Sequence, residues 1–387
     1  MPDGGENFSV KVHRSIDAIG AAAWDACAGD DNPFLSYAFL EALEASGSAT
    51  PKTGWLPQHL VLEDSTGKLL GAAPLYLKSH SYGEYVFDHG WASAYERAGG
   101  EYYPKLQAAV PFTPVTGPRL LVHPEADEEV ADLLVGAMVE VAKRRKVSSL
   151  HVTFPTEAEW QRFGRAKFLQ RVGRQFHWEN QGYQSFDDFL NALNARKRKQ
   201  IRRERREALG GGLEIETLTG SDLATKHWDA FFRFYMSTSD RKWGSAYLTR
   251  QFFDMLGARM ADRVVLIMAR QGGRYVAGAL NLRGSDTLYG RNWGCHGDFP
   301  FLHFEACYYR AIDFAIAHGL KRVEAGAQGQ HKIQRGYLPM PTYSAHWIRD
   351  PGLARAIEEF LVRERRAVES EMEHLEEELS PFRKEAD

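Results

Sequence analysis

The sequence predicts an α/β (α+β) chain built from two similar halves, each a mixed, largely antiparallel sheet flanked by helices. Three observations lead there. First, "LPQHLVLEDSTGKLLGAAPLYLKSHSYGEYVFD" and "DRVVLIMARQGGRYVAGALNLRGSDTLYGRNWG" both read as strand, tight turn and strand, with Gly71 falling on Gly278. Second, each is followed by an amphipathic helix and another strand, "DEEVADLLVGAMVEVAKRRKVSSLHVTF" and "HFEACYYRAIDFAIAHGLKRVEAGA". Third, each copy ends in a basic, Gly-containing segment and an aromatic strand, "FLQRVGRQFHW" and "HKIQRGYLPMPTYSAHW".

Taken in order, the chain opens with a helix over Pro33–Ala45 and a hairpin turning at Ser65-Thr66-Gly67. In "SHSYGEYVFDHGW", alternation places His80, Tyr82, Glu84 and Asp88 on one face of a strand, a cleft wall or an exposed sheet face. The first domain is expected over 1–180. Between the copies lies "LNARKRKQIRRERREALGGG", where Arg196–Glu207 holds eight Lys or Arg against two Glu, a local net of +6. Leu190, Leu193, Ile201 and Ala208 trace an apolar stripe, Asp187 is the expected N-cap, and Gly210-Gly211-Gly212 is the stop, predicting a basic helix over 187–209. It leads into a second domain expected over 181–350. A last helix within 351–387 carries Ile357, Leu361, Val368, Met372, Leu375 and Leu379 on one side and ends in the acidic "EMEHLEEEL". That run is the expected counter-charge for the basic helix.

The totals restrict the function. With 387 residues the chain suits two domains, and 44 % hydrophobic residues support packed cores. No apolar run reaches a membrane span, and no basic-then-apolar signal opens the chain, so a cytoplasmic protein is expected. Cys27, Cys295 and Cys307 give no disulfide framework. Cys295, His296, His303 and Cys307 lack the Cys-x-x-Cys pair of a zinc site, so no metal is expected. A net charge of −3 argues against a DNA-binding protein, although a local polyanion contact stays open. Neither a Gly-x-Ser-x-Gly elbow nor a phosphate-binding Walker loop occurs.

"HSYGEYVFDHGWASAYE", "YYPKLQAAVPFTPVTGPRLL" and "EAGAQGQHKIQRGYLP" resemble the FemAB-like N-acyltransferases of peptidoglycan biosynthesis or recognition, across roughly residues 30–350. The half-length units likewise resemble tandem acyltransferase domains of the GNAT type. The resemblance implies an N-acyltransferase that moves an acyl or aminoacyl group to an amine acceptor, such as a peptidoglycan precursor or related small molecule. It also leaves open a non-catalytic protein that binds peptidoglycan fragments or small molecules. No permanently bound cofactor is implied; acyl-CoA or aminoacyl-tRNA would be a co-substrate. The family's Phe-Lys-x-Gly-Phe turn is replaced by Ile333-Gln334-Arg335-Gly336-Tyr337. The pyrophosphate loop of acetyl-CoA enzymes is missing from Gln170-Arg-Val-Gly173 and Arg270-Gln-Gly-Gly273, which speaks against acetyl-CoA as donor.

Acyl transfer to an amine needs a base for the amine, a held carbonyl and charge stabilisation. Glu324, His303, Glu305 and His331 are the catalytic candidates: a strand-end carboxylate, two residues opening a helix, and a Gly-flanked loop histidine. Lys332, Arg335 and Tyr337 of that loop are candidates for binding substrate. So are His80, Glu84 and Asp88 of the first half, and Arg241 and Trp243 of "DRKWGSAYL", where a cation and aromatics could stack on a base or sugar. Solvated turns, helix-end carboxylates and packing corners explain the same residues without function.

Overall fold

The computed structural model describes residues 8–242 and 246–383, with side chains described outside 239–245. The chain forms two compact units, and neither is continuous in sequence. Unit 1 comprises 1–173 and 342–368; unit 2 comprises 174–341 and 369–387. The sequence-based division at 180 and 350 therefore falls near two crossings, but 342–350 returns to unit 1 and the end of the last helix belongs to unit 2.

Unit 1 contains β1 (Ser9–His13), β2 (Trp55–Pro57), β3 (His59–Glu63), β4 (Leu69–Ala73), β5 (Leu75–Lys78), β6 (Lys105–Ala108), β7 (Leu121–Val122) and β8 (Ser149–Thr153). β9 (Leu169–Glu179) carries the chain into unit 2, with β10 (Leu213–Leu218), β11 (Val264–Gln271), β12 (Arg274–Arg283), β13 (Thr287–Cys295) and β14 (Arg322–Glu324). β15 (Leu338–Ile348) carries it back.

In unit 1 one sheet runs β1-β3-β4-β7, and a second set of strands runs β2-β5-β6-β8-β15. The helix Glu129–Arg144 buries Val130, Leu134 and Met138 in a core shared with Leu60, Leu75, Leu106, Leu150 and Ala345. In unit 2 the order is β10-β11-β12-β13-β14-β9, antiparallel except where β13 and β14 run parallel.

The repeat is visible in these strands. Gly71 and Gly278 both lie in the second strand of a hairpin beneath helix side chains: an added Cβ would meet Val130 at 2.7 Å in one case and Phe231 at 2.9 Å in the other. Three residues on, both copies break. Pro74, which has no N–H to give a ladder, separates β4 from β5, and its counterpart Asn281 follows a register shift in β12.

Three expected elements differ, the first being the opening helix, which is a 3-10 turn over Pro33–Leu35 and, after extended Ser36, a helix over Tyr37–Ala45. The basic segment is two helices, Phe186–Ala192 and Ala195–Ala208, because Leu193 is extended and Asn194 caps the second helix by accepting from the Lys197 amide. Ser185, not Asp187, caps the first. Residues 79–88 are not a strand: Gly83 at φ 80° and Tyr85 at φ 61° break the alternation. Glu84 and Asp88 therefore turn inward while Tyr82 is 61 % exposed.

The acidic end of the last helix, Pro351–Leu379, meets the basic helix through apolar side chains. Leu375 shares a core with Leu193 and Ile201, while Glu371 pairs with Arg174. Among the described residues, no ion pair joins the basic run to "EMEHLEEEL".

Candidate functional site

In unit 2 the parallel pairing of β13 with β14 lasts three residues and ends at Tyr289 opposite Glu324. β13 continues to Cys295 while β14 stops. Glu324 thus sits where two parallel strands part, and across β9 it faces His177. Its carboxylate is 4 % exposed, with Oε2 4.0 Å from His177 Nε2 and without a hydrogen-bond partner. Burial pushes its pKa up to about 8 against the pull of Arg322 and Arg291. Burial, with Arg322 and Lys332 nearby, holds His177 down at about 3, so the imidazole is neutral. Its Nε2 approaches Gln175 Oε1 at 3.4 Å, and Nδ1 has no partner.

The loop after Glu324 is fixed from within. Gln330–Arg335 forms a 3-10 turn, so Lys332 and Arg335 share a side, and both face inward at 4 % exposure. Lys332 Nζ donates to the carbonyls of Ala325 (2.5 Å) and Gly326 (3.1 Å), immediately beyond Glu324. Arg335 pairs with buried Glu204 of the basic helix at 2.8 Å and donates to the His331 carbonyl at 2.7 Å. These cations brace the loop. Tyr337 is fully buried and donates to the Tyr308 carbonyl at 3.1 Å, which makes it a core residue rather than a substrate contact.

Glu305 is also a brace. The helix there takes one π turn over Glu305–Tyr309, and the fully buried carboxylate lies between Arg205 (3.1 Å) and Arg310 (2.9 Å). It is thereby occupied, and not available as a base. His331 stays exposed, with Nε2 3.1 Å from the Tyr308 hydroxyl, and its pKa is lowered by partial burial and by Arg335 and Lys332. His303 is half-buried, its ring 5.4 Å from Trp293, 5.3 Å from Tyr308 and 6.2 Å from His331. Glu324, His331 and His303 therefore remain, and His177 joins them. His177 was hidden because "QFHWE" reads as ordinary strand alternation. Arg241 and Trp243 fall where side chains lie outside the described residues.

In unit 1 Glu84 and Asp88 meet Lys105, whose Nζ donates to Glu84 at 2.7 Å, Asp88 at 2.5 Å and Ser81 at 2.7 Å. Burial raises Glu84 to about 7. For Asp88 burial pulls upward too, but Lys105 and His151 pull further, leaving it well below the usual carboxylate range. Tyr102 donates to Asp88 at 2.8 Å, and a chain of contacts runs on through His151 and His346, whose Nδ1 atoms are 2.7 Å apart. Burial keeps both imidazoles neutral, so one donates and the other accepts. His80 is only half-buried and packs on Gly54 instead. Lys105, Tyr102, His151 and His346 were not singled out in the sequence; Gln107-by-His151 and His151-by-His346 register across three strands is what assembles them.

Among the described residues no group of His, Cys, Asp and Glu is arranged to hold a metal, and no helix is long and apolar enough to cross a membrane. Paired α/β units with a short parallel pair parting at a buried carboxylate define a tandem GNAT-like acyltransferase fold. The chain belongs to the FemAB-like family, described as peptidoglycan biosynthesis/recognition, which it matches over residues 15–384. Membership carries a transferase role of that broad kind. The fold is similar to that of FemX, with a TM-score of 0.55 at 13 % identity over 91 % of this chain and 100 % of that one. It is also similar to a conserved protein from Bacteroides thetaiotaomicron (TM-score 0.53, 11 % identity, 88 % and 100 % covered) and to L-PGS from Bacillus licheniformis (TM-score 0.51, 8 % identity, 86 % and 98 % covered). No curated protein sequence matches.

Proposed function

We propose that the chain is an N-acyltransferase that moves an acyl or aminoacyl group to the amine of a peptidoglycan precursor or related small molecule, with Glu324 as general base. The observation that carries this reading is the buried carboxylate, held at about 8 where β13 and β14 part. An acceptor amine arrives mostly as its ammonium ion, and a base with a pKa near that of the solution is well matched to take the proton. The amine nitrogen then bonds to the acyl carbon and gives up a second proton, and the C–O bond of an aminoacyl ester or the C–S bond of a thioester breaks. While Glu324 releases the first proton to solvent, that second proton passes to the leaving oxygen or sulfur. Exposed His331 supports that last transfer as a neutral imidazole.

Acetyl-CoA is not the proposed donor. The two segments closest to its pyrophosphate loop lie within β9 and at the β11–β12 turn, and neither opens a helix, where backbone amides would meet the phosphates. Aminoacyl-tRNA is the donor class proposed, because every acyl-CoA carries the same pyrophosphate.

Glu324→Gln keeps the shape and removes the base. With donor and acceptor identified by mass spectrometry of what the purified protein retains, the variant is expected to lose about a hundredfold in kcat and to lose the pH limb near 8. Full turnover with an unchanged pH profile would exclude Glu324 as the base, whereas binding of donor and acceptor without turnover by the wild type would favour the binding-protein reading.

A further inference from the structure

The end of β9 shows two faces to unit 2. Phe176 and Trp178 enter the apolar core, while Gln175, His177 and Glu179 alternate with them on the opposite face. Antiparallel register sets Arg322 across from Glu179, and Glu324 across from His177. The first pair closes as an ion pair at 2.6 Å. The second stays open: Glu324 Oε2 and His177 Nε2 are 4.0 Å apart, too far for a hydrogen bond. Nor is it an ion pair, since the imidazole is neutral.

Gln175 holds the imidazole off. It lies two residues back on the same face, buried, with its Oε1 3.4 Å from His177 Nε2. An amide oxygen only accepts, so the imidazole proton is on Nε2. Nδ1, left with a bare lone pair, has no partner among the described residues. One N–H therefore has two acceptors close by, a near amide oxygen and a farther carboxyl oxygen that is itself without a partner among the described residues. A bond of 3.4 Å is long and easily given up. A neutral carboxyl has little claim on the N–H, whereas a carboxylate has a strong one, because charge-assisted hydrogen bonds are about twice as strong as neutral ones.

We propose that His177 is a positioning residue for Glu324, its Nε2–H turning from Gln175 to Oε2 when the carboxyl ionises and back when it takes a proton. The inference rests on the reading of Glu324 as the base. A fixed cation in this place would keep the carboxylate charged and make it a poor base. A neutral N–H that can leave stabilises the charged form without locking it, and passes the carboxylate free to meet the amine.

The other charged and titratable groups about the pair are Arg322 on β14, Arg291 and Tyr289 on β13, Glu179 on β9, Asp286 just before β13, and Lys332 of the 3-10 turn. Arg322 and Lys332 disfavour a proton on His177, so the imidazole donates without becoming charged. Substitutions at Gln175 and His177 leave all six in place, and their pull on Glu324 is common to every variant below.

The test removes each end of the switch in turn. Gln175→Leu leaves the N–H to Glu324, so the carboxyl should ionise at a pH lower by about one unit. His177→Phe keeps a ring but removes the donor, and should raise the midpoint by about one unit. His177→Gln, which restores an N–H, should stay within about half a unit of the wild type. The midpoint is read from the 13C signal of the Glu324 carboxyl in full-length protein labelled at the glutamate carboxyl carbon, identified by its loss in Glu324→Gln, so that no substrate is needed. Opposite shifts in Gln175→Leu and His177→Phe support the proposal. Shifts of one sign, as loosened packing and entering water would give, or no shift, overturn it. If His177→Phe does not fold, a fall in Gln175→Leu with an unchanged midpoint in His177→Gln supports it, and any other pattern overturns it. With substrates identified, the pH limb of kcat/KM should follow the carboxyl. Carboxyl shifts that the limb does not follow would keep the His177–Glu324 switch and exclude Glu324 as the base.

Discussion

Glu324 combines full burial, no hydrogen-bond partner for one oxygen, and a strand that ends beside it. That combination has a consequence for stability as well as for catalysis. Its folded pKa of about 8 lies above the ordinary carboxyl value, so the folded protein holds this proton more tightly than the unfolded chain does. The contribution is fully present below the unfolded pKa and is lost as pH rises towards 8. Gln mimics the protonated form, so Glu324→Gln should match the wild type in Tm at about pH 4 and exceed it at about pH 9. A gap that does not change with pH would mean that the carboxyl titrates normally. Glu324 was legible in the sequence because an acidic residue closes a short strand before a Gly-rich loop. Lys332 and Arg335 were read from the same loop as ligand cations. Of the groups that absorb their charge, Glu204 lies on another segment, and the Ala325 and Gly326 carbonyls of the same loop are backbone acceptors that residue spacing does not mark. The polar row through Lys105, His151 and His346 was missed for a related reason: each strand alone shows the alternation of a half-exposed sheet, and burial comes from what covers it.

The helix Ala195–Ala208 shows how one element can be both core and surface. Ile201, Glu204 and Ala208 are buried, with Arg205 at their edge, while Arg196, Lys199, Arg202, Arg203 and Arg206 face solvent. Its +6 run therefore divides by position. Arg205 stands between Glu305 and Asp313 and over the Phe186 ring at 4.2 Å, whereas Arg203 makes one exposed pair with Glu207. Arg205→Met should cost about 2 kcal/mol, because it leaves a buried carboxylate with half its partners. Arg203→Ala should stay within about 0.5 kcal/mol. Equal effects in urea unfolding would refute the division. The sequence stripe of Leu190, Leu193, Ile201 and Ala208 identified the buried face correctly, and all four are buried. It did not reveal the break at Leu193–Asn194, since a helical stripe continues in projection across an interruption of two residues. Nor did the acidic tail become the ionic partner. Like-sized opposite charges in a sequence suggest a pairing, but the helices meet through Leu375, Ile201 and Leu193, and the charges find nearer partners.

At the scale of the whole chain, repetition was legible and connectivity was not. The hairpins and the Gly71–Gly278 correspondence mark two α/β units, but the chain leaves unit 1 within β9 and returns to it within β15. The strand that completes unit 1 is therefore far in sequence from the one it extends, with His346 195 residues beyond its partner His151: Ser344–Ile348 pairs antiparallel with Ser149–Thr153, and Ala345 joins the core under the helix Glu129–Arg144. Cutting at 180 would strip β8 of this partner and remove His346 from His151, together with Ile357 and Leu361, which pack with Trp91 and Tyr102. The exposed edge and apolar surface would favour aggregation. A fragment of residues 8–180 is therefore expected to be insoluble or molten. Joining 8–173 to 342–368 should restore a cooperative unit, and the join is short: an added Cβ on Gly173 would lie 3.0 Å from Thr342 Oγ1. The comparison is read by the sharpness of thermal unfolding and by amide exchange in β8. A cooperative, protected 8–180 fragment would show that unit 1 does not need its returning strand, and the discontinuous unit would then be only a matter of packing.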